Sequence, residues 1–144
     1  MAFDNILVVC IGNICRSPMA EALLKQRFPN KHIDSAGVGA LVGHPADPAS
    51  IKMMAEHANI DINKHIAKQI DEKLAVKADL ILTMSDRQTK WIEDSFPFCR
   101  GKTFKLGHWQ GNDIADPYKH EISAFERAYQ DIVRGIDQWQ DKLD

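Results

Sequence analysis

The chain has 144 residues, 44 % of them hydrophobic, with 18 basic and 20 acidic side chains and a formal net charge of −2. That length supports one domain with a real core, expected over 1–144, and the composition is ordinary for a soluble protein. No basic block, aromatic-interleaved lysine stretch or membrane-length apolar run occurs, which argues against a nucleic-acid partner and against membrane insertion.

In chain order, Phe3 to Val9 is rich in branched apolar residues and reads as a strand at about 4–9 buried on both faces. Cys10 sits at its carboxyl end. Ala20, Leu23, Leu24 and Phe28 then recur at helical spacing, predicting a helix over 17–28 with Ser17 as N-cap, Pro18 in the first turn and Glu21 further in. Strands at about 32–36, 79–83 and 102–105 alternate with helices at about 48–58, 86–94 and 122–142. The alternation predicts an α/β three-layer sandwich around a central four-stranded parallel sheet, with its site at the strands' carboxyl ends. In the last helix Phe125, Tyr129, Ile132, Ile136, Trp139 and Leu143 form a stripe expected to face the core. No repeat or low-complexity segment is present.

The segment Cys10-Ile11-Gly12-Asn13-Ile14-Cys15-Arg16-Ser17-Pro18 joins the first strand to the first helix by a tight turn. Such a turn aims successive backbone N–H groups and the positive end of a helix dipole into one concavity, the physical basis of an anion site. It is the expected phosphate-binding loop. Arg16 adds a fixed charge whose planar fork can bind two phosphoryl oxygens. A helix N-terminus and a nearby cation favour the thiolate of a cysteine, which makes Cys10 the candidate nucleophile. Gly12 turns without a Cβ clash, and Asn13 tolerates a left-handed backbone. A bare cysteine and arginine six positions apart would mean little; the longer match in a strand-turn-helix context gives it weight.

Expelling an alkoxide or phenoxide from phosphate needs a proton donor near the leaving oxygen. The best candidate is Asp116, in the loop Gly111-Asn112-Asp113-Ile114-Ala115-Asp116-Pro117-Tyr118, with Asp113 as fallback. On the residues alone, Asp116-Pro117 also reads as a turn or helix-start signal. His32, His44, His57, His108 and His120 form no ligand spacing with the cysteines, so no metal site is expected. Cys99 reads as partly buried packing. An odd cysteine count with a needed thiolate points to a reducing compartment, and cytoplasm is the expected location.

The loop at Val9 to Pro18 resembles the signature of the low-molecular-weight protein tyrosine phosphatases nearly letter for letter. Asp34-Ser35-Ala36-Gly37, His65-Ile66-Ala67-Lys68-Gln69-Ile70, Asp79-Leu80-Ile81-Leu82-Thr83-Met84 and Asp116-Pro117-Tyr118 are similar to family landmarks in the family's order. The resemblance implies a phosphocysteine on Cys10, with Asp116 as general acid and then base, and no cofactor. It implies that Asn13, Ser17, Ser35 and His65 support the phosphate loop. It also implies a reversible disulfide of Cys15 with Cys10 as redox protection, although a merely packed Cys15 fits the residues equally well.

By the same resemblance the substrate rim includes Ile11, Leu41 and Tyr118. Eukaryotic members commonly carry aromatics where Leu41 and Lys119 stand, so the chain looks most similar to bacterial phosphatases paired with tyrosine kinases of capsule or exopolysaccharide export. A phosphotyrosine protein, the kinase's C-terminal tail, is then the expected partner of a monomer. Two alternatives come from other classes. A thioredoxin-coupled arsenate reductase shares the cradle but needs a further cysteine pair where only Cys99 stands, and a phosphocysteine carrier would need no Asp116.

Overall fold

Residues 3–143 are described by a computed structural model, so the outermost residues of the expected 1–144 domain lie outside it. Strand β1 (Asn5–Cys10) leads through the loop to helix α1 (Arg16–Arg27), followed by β2 (His32–Gly37) and α2 (Pro48–Met53). Then come α3 (Glu72–Lys77), β3 (Leu80–Thr83), α4 (Asp86–Ser95), β4 (Thr103–Lys105) and α5 (Ile122–Leu143). The four strands pair in parallel in the order β2-β1-β3-β4. This is the α/β three-layer fold expected from the alternation.

Strand alternation explains the layers. Ile6, Val8 and Cys10 of β1 face a core shared with Met19, Leu23 and Leu24 of α1, Met53 of α2, and Phe125, Ile132, Ile136, Trp139 and Leu143 of α5. Leu7 and Val9 face the other way, against Ala75 of α3, Ile92 of α4 and Cys99. Burying such a side chain is worth about 1.5–3 kcal/mol, so both faces of β1 must be covered for the strand to end where it does. The α5 stripe is buried as expected, with Tyr129 half-buried beside it. Trp139 donates its indole N–H to the carbonyl of Leu106 at 3.0 Å, tying α5 to the end of β4.

Local differences from the expected elements have physical causes. Helix α1 starts at Arg16 with Cys15 at the N-cap position and no side-chain cap, so Ser17 does not cap it. Its hydroxyl is engaged by Cys10 and Asn13 instead. The helix expected over 48–58 begins at Pro48 with the Asp47 carboxylate accepting the Ala49 N–H, then loosens into a π turn over Met54–Ala58 that ends on left-handed Asn59. Helix α3, capped by the Asp71 carboxylate on the Leu74 N–H, and the 3₁₀ turn Pro97–Cys99 are short elements outside the expected set. No helix among the described residues is long and apolar enough to cross a membrane.

At the amino end of the central pair, the Asp79 carboxylate accepts the N–H groups of Asn5 at 2.8 Å and Asp4 at 3.0 Å. The Asn5 N–H chiefly holds this carboxyl below the ordinary carboxylate range, against a smaller opposing effect of burial. A depressed folded value means stability present above the unfolded value of about 3.9 and lost as pH falls through the folded value. Asp79 is solvent-exposed, so screening keeps its contribution to the order of 1 kcal/mol. Urea unfolding at pH 7 should therefore find Asp79→Ala less stable by about that amount, with the gap narrowing as pH falls below the unfolded value of about 3.9; a gap independent of pH would contradict this account.

Candidate active site

Strand β1 delivers Cys10 and α1 begins at Arg16, so Ile11–Cys15 must reverse from strand to helix in five residues. Asn13 takes the left-handed conformation at φ 60°, which costs most side chains roughly 1–2 kcal/mol and asparagine less. Six successive carbonyls are bonded outward. Those of Cys10, Ile11 and Gly12 accept the N–H groups of Val38, Gly39 and Leu41, each at 3.0 Å. The Asn13 carbonyl accepts from His65 Nε2 at 2.6 Å, Ile14 from the Asp47 N–H at 2.8 Å, and Cys15 from the Ser50 hydroxyl at 3.1 Å. With every carbonyl turned out, the N–H groups turn in, and none from Ile11 to Cys15 donates to an acceptor among the described residues.

Fully buried Asn13 is the hub beneath this cradle. Its Oδ1 accepts the Lys68 N–H at 3.0 Å, which fixes the amide's orientation. Its Nδ2 therefore donates, to Ser17 Oγ at 2.8 Å and Ser35 Oγ at 3.0 Å. Ser35 donates its hydroxyl to the Glu21 carboxylate. Ser17, accepting from Asn13, lies 2.9 Å from Cys10 Sγ and has its proton free to donate to a thiolate there. The network forks at Asn13, one branch ending on the Glu21 carboxylate and the other at the sulfur.

Arg16 is 3 % exposed. Its Nη1 donates to the Ile114 carbonyl at 2.6 Å, its Nη2 lies 3.7 Å from the Asp116 carboxylate, and its buried Nε has no partner. A buried donor left unpaired costs about 1–3 kcal/mol or more when charged, a penalty that an oxyanion in the cradle would relieve. Asp116 stands over the cradle with its side chain 40 % exposed, and its other oxygen accepts the Tyr118 N–H at 3.1 Å. It is both a turn residue and a carboxyl within reach of the site. Asp113 is turned elsewhere, to Lys105 at 3.1 Å and to the Asp86 N–H at 3.2 Å.

Of the residues expected at the rim, Ile11 and Tyr118 are exposed, and the Lys119 ammonium sits 5.5 Å above the Tyr118 ring. Leu41 is half-buried beside Gly12 and packs against the core. Cys10, Cys15 and Cys99 are all free thiols and all buried. Burial pushes the Cys15 pKa far above the ordinary thiol range, with Asp47, Cys10 and Asp116 adding to the effect and Arg16 opposing it. Among the described residues, no three His, Cys, Asp or Glu side chains cluster as metal ligands; His57 instead stacks on Tyr129 with ring centres 5.2 Å apart.

Three contributors fall outside the motif. Glu21 follows Ser17 by four residues, a spacing that puts both on one helix face and could have signalled it. Ile114 acts through its backbone carbonyl, which no side-chain pattern reveals. Gly37 ends β2 opposite Cys10, and a Cβ there would lie 2.3 Å from the Ile11 carbonyl oxygen.

A model of the family described as low molecular weight phosphotyrosine protein phosphatase matches residues 5–144. The low molecular weight protein-tyrosine-phosphatase Ptp of Acinetobacter johnsonii is 50 % identical over 139 residues, covering 96 % of this chain and 97 % of that protein. The phosphatase Wzb of Escherichia coli K12 is 44 % identical over 142 residues, covering 98 % and 96 %. The structure of Vibrio vulnificus Wzb in complex with benzylphosphonate is 40 % identical, covers 99 % of this chain and 100 % of that one, and superposes with a TM-score of 0.93.

Gly37 provides a test of the cradle's geometry. Gly37→Ala should displace the Ile11 carbonyl, weaken competitive inhibition by inorganic phosphate at least ~10-fold, and cost about 1–3 kcal/mol. Gly135→Ala is the control, because its Cβ would meet Leu106 at 2.9 Å, in the β4–α5 contact. It should lower stability with phosphate affinity intact; equal phosphate affinity in both variants would show that the Gly37 contact does not shape the loop.

Proposed function

Because the chain belongs to the low molecular weight phosphotyrosine protein phosphatase family and is a protein-tyrosine-phosphatase, we propose that Cys10, Arg16 and Asp116 divide its reaction between them in two steps. The Cys10 thiolate attacks phosphorus and the P–O bond to tyrosine breaks, while Asp116 gives its proton to the departing oxygen. Asp116, now a base, takes a proton from water as the water oxygen attacks phosphorus. The P–S bond breaks, releasing phosphate and the Cys10 thiolate. Arg16 and the inward amides of Ile11 to Cys15 stabilise the equatorial oxygens, where charge builds. The Ser17 hydroxyl, 2.9 Å from the sulfur, stabilises the thiolate as it leaves. Asn13, Ser35 and His65 hold the loop in shape. The observation that supports this reading best is the set of unspent loop amides beside the unpartnered Arg16 Nε.

In this reading Ile11, Leu41 and Tyr118 form the walls that select long phosphotyrosine over short phosphoserine. The substrate is the tyrosine-rich C-terminal tail of an autophosphorylated bacterial kinase that regulates capsule or exopolysaccharide production. A rim with Leu41 and Lys119 in place of aromatics leaves room for neighbouring tyrosines of such a tail. A relative that binds benzylphosphonate, an aromatic phosphonate, fits a phosphotyrosine-sized cleft. The enzyme works in the cytoplasm as a monomer, as one domain over 1–144 and without a cofactor. The reductase alternative is weakened by Cys99, which packs with Val9, Ile81 and Ile92 in the α3–α4 core while Cys10 and Cys15 belong to the other core. A carrier would have no use for an acid poised over the cradle.

The reading is tested by phosphate release from phosphotyrosine and phosphoserine peptides with EDTA and a thiol reductant present. Wild type should cleave only phosphotyrosine, Cys10→Ser should be inactive yet folded, and Asp116→Ala should lose ~10²–10⁴-fold with phenolic leaving groups. An Asp116→Ala enzyme at the parent rate would show the acid assignment to be wrong. For the partner, a phosphorylated kinase-tail peptide should exceed an unrelated phosphotyrosine peptide in kcat/KM.

Cys15 gives a second test. On oxidation of Cys10 to the sulfenic acid, the Cys15 thiol displaces water from it to form the disulfide, which a reductant reopens. Wild type treated with peroxide should regain activity on adding dithiothreitol, whereas Cys15→Ser should progress to irreversible loss. Equal recovery in the two would leave Cys15 as packing alone.

A further inference from the structure

From Gly107 to Glu121 the chain has neither helix nor strand, yet Asp116 must stand at a defined point over the cradle. Two fixings lie just before it. Ile114, whose side chain is 1 % exposed, donates its N–H to the Met84 carbonyl at 2.8 Å and accepts from Arg16 at 2.6 Å. That pins one point, about which the following residues could still pivot. The second point is Asp113, which meets the ammonium of Lys105 at 3.1 Å and the N–H of Asp86, the first residue of α4, at 3.2 Å. Asp86 adds its own carboxylate to Lys105 at 3.3 Å.

The partners are not equal. The Lys105 side chain is 13 % exposed and those of Asp113 and Asp86 are 51 % and 82 % exposed. An ammonium that far from water needs a partner, whereas an acid as exposed as Asp86 contributes little. Burial works against the charge on Lys105, but the bonds to Asp113 and Asp86 together outweigh it and keep its pKa above the ordinary lysine range. The strong contact is thus Lys105 with Asp113, and it ties the acid loop to the carboxyl end of β4, while the Asp86 N–H ties it to the start of α4.

We infer that Lys105 and Asp113 are positioning residues for the general acid: their ion pair, with Ile114, fixes two points of the loop, three and two residues before Asp116, and so sets where its carboxyl stands. This rests on the reading of Asp116 as the acid. A proton donor must meet the leaving oxygen closely, and a displacement of about 1 Å can cost on the order of 10²-fold in rate. The effect of loosening the loop must therefore depend on how much the leaving group needs the proton.

That dependence is the test. Lys105→Met keeps the length of the side chain and removes its charge; Asp113→Asn keeps the shape and an oxygen for the Asp86 N–H. The measurement is kcat/KM over aryl phosphates from phenyl phosphate to 2,4-dinitrophenyl phosphate, with Asp116→Ala in the same series. Both variants should lose ~5- to 20-fold on phenyl phosphate and less than ~2-fold on the dinitrophenyl ester, a muted copy of Asp116→Ala, and the double variant should be no worse than the worse single. Should Lys105→Met fail to fold, the exposed Asp113→Asn bears the test alone. An equal loss on all esters, or none, with a steep series for Asp116→Ala overturns the positioning role. A flat series for Asp116→Ala overturns the acid assignment itself, and this role with it.

Discussion

Six consecutive peptide groups with their N–H dipoles aimed into one cavity repel one another, and an isolated chain would relax from that arrangement. What prevents it here is that each carbonyl from Cys10 to Cys15 is held from outside. The holders come from the turn after β2, from the start of α2 and from His65, so the segments flanking the loop are as much part of the anion site as the loop is. Gly37 must be glycine for the same reason: the turn after β2 has to come close enough for the amides of Val38 and Gly39 to reach the loop carbonyls.

The cradle's shape and the surroundings of the Cys10 sulfur are coupled through Asn13. Its left-handed backbone turns the loop, and its side chain, fixed by the Lys68 N–H, decides which way the hydroxyls of Ser17 and Ser35 point. Because Asn13 donates to Ser17 from Nδ2, the Ser17 proton is free to be donated to a Cys10 thiolate. That same demand explains why Ser17 does not cap α1. A capping serine would aim its oxygen at a backbone N–H of the first turn, and one side chain cannot accept there while lying against Cys10. The helix start instead keeps its own N–H groups for the cradle.

Most of the fold was legible because its strongest signals are sustained apolar patterns. β1 announces itself by an unbroken apolar run, and α5 by a stripe sustained over more than five turns. The strand-turn-helix context of Cys10 and Arg16 follows from the first of these. Helix α3 was not legible, since six residues give fewer than two turns and only Ala75 is fully buried. The π turn after α2 left no composition signal either. Within the site, side chains on the motif were readable, whereas the contributions of Ile114 and Gly37 were not. One works through a carbonyl and the other through the absence of an atom, and neither is written in residue type. Asp116 is preferred to Asp113 in sequence, and the structure gives the two different partners, Arg16 for Asp116 and Lys105 for Asp113.

Arg16 joins the two halves of the site. Its Nη1 is committed to the acid loop through Ile114, its Nη2 approaches Asp116, and its Nε remains for the cradle. A lysine could neutralise the phosphate as a point charge but could not span these directions at once, because its three donors radiate from one nitrogen. The planar fork therefore does more than add charge. It links the Cys10–Ser17 loop to the loop of Ile114 and Asp116, and in the proposed reaction phosphorus and the proton must be held by those two loops at the same moment.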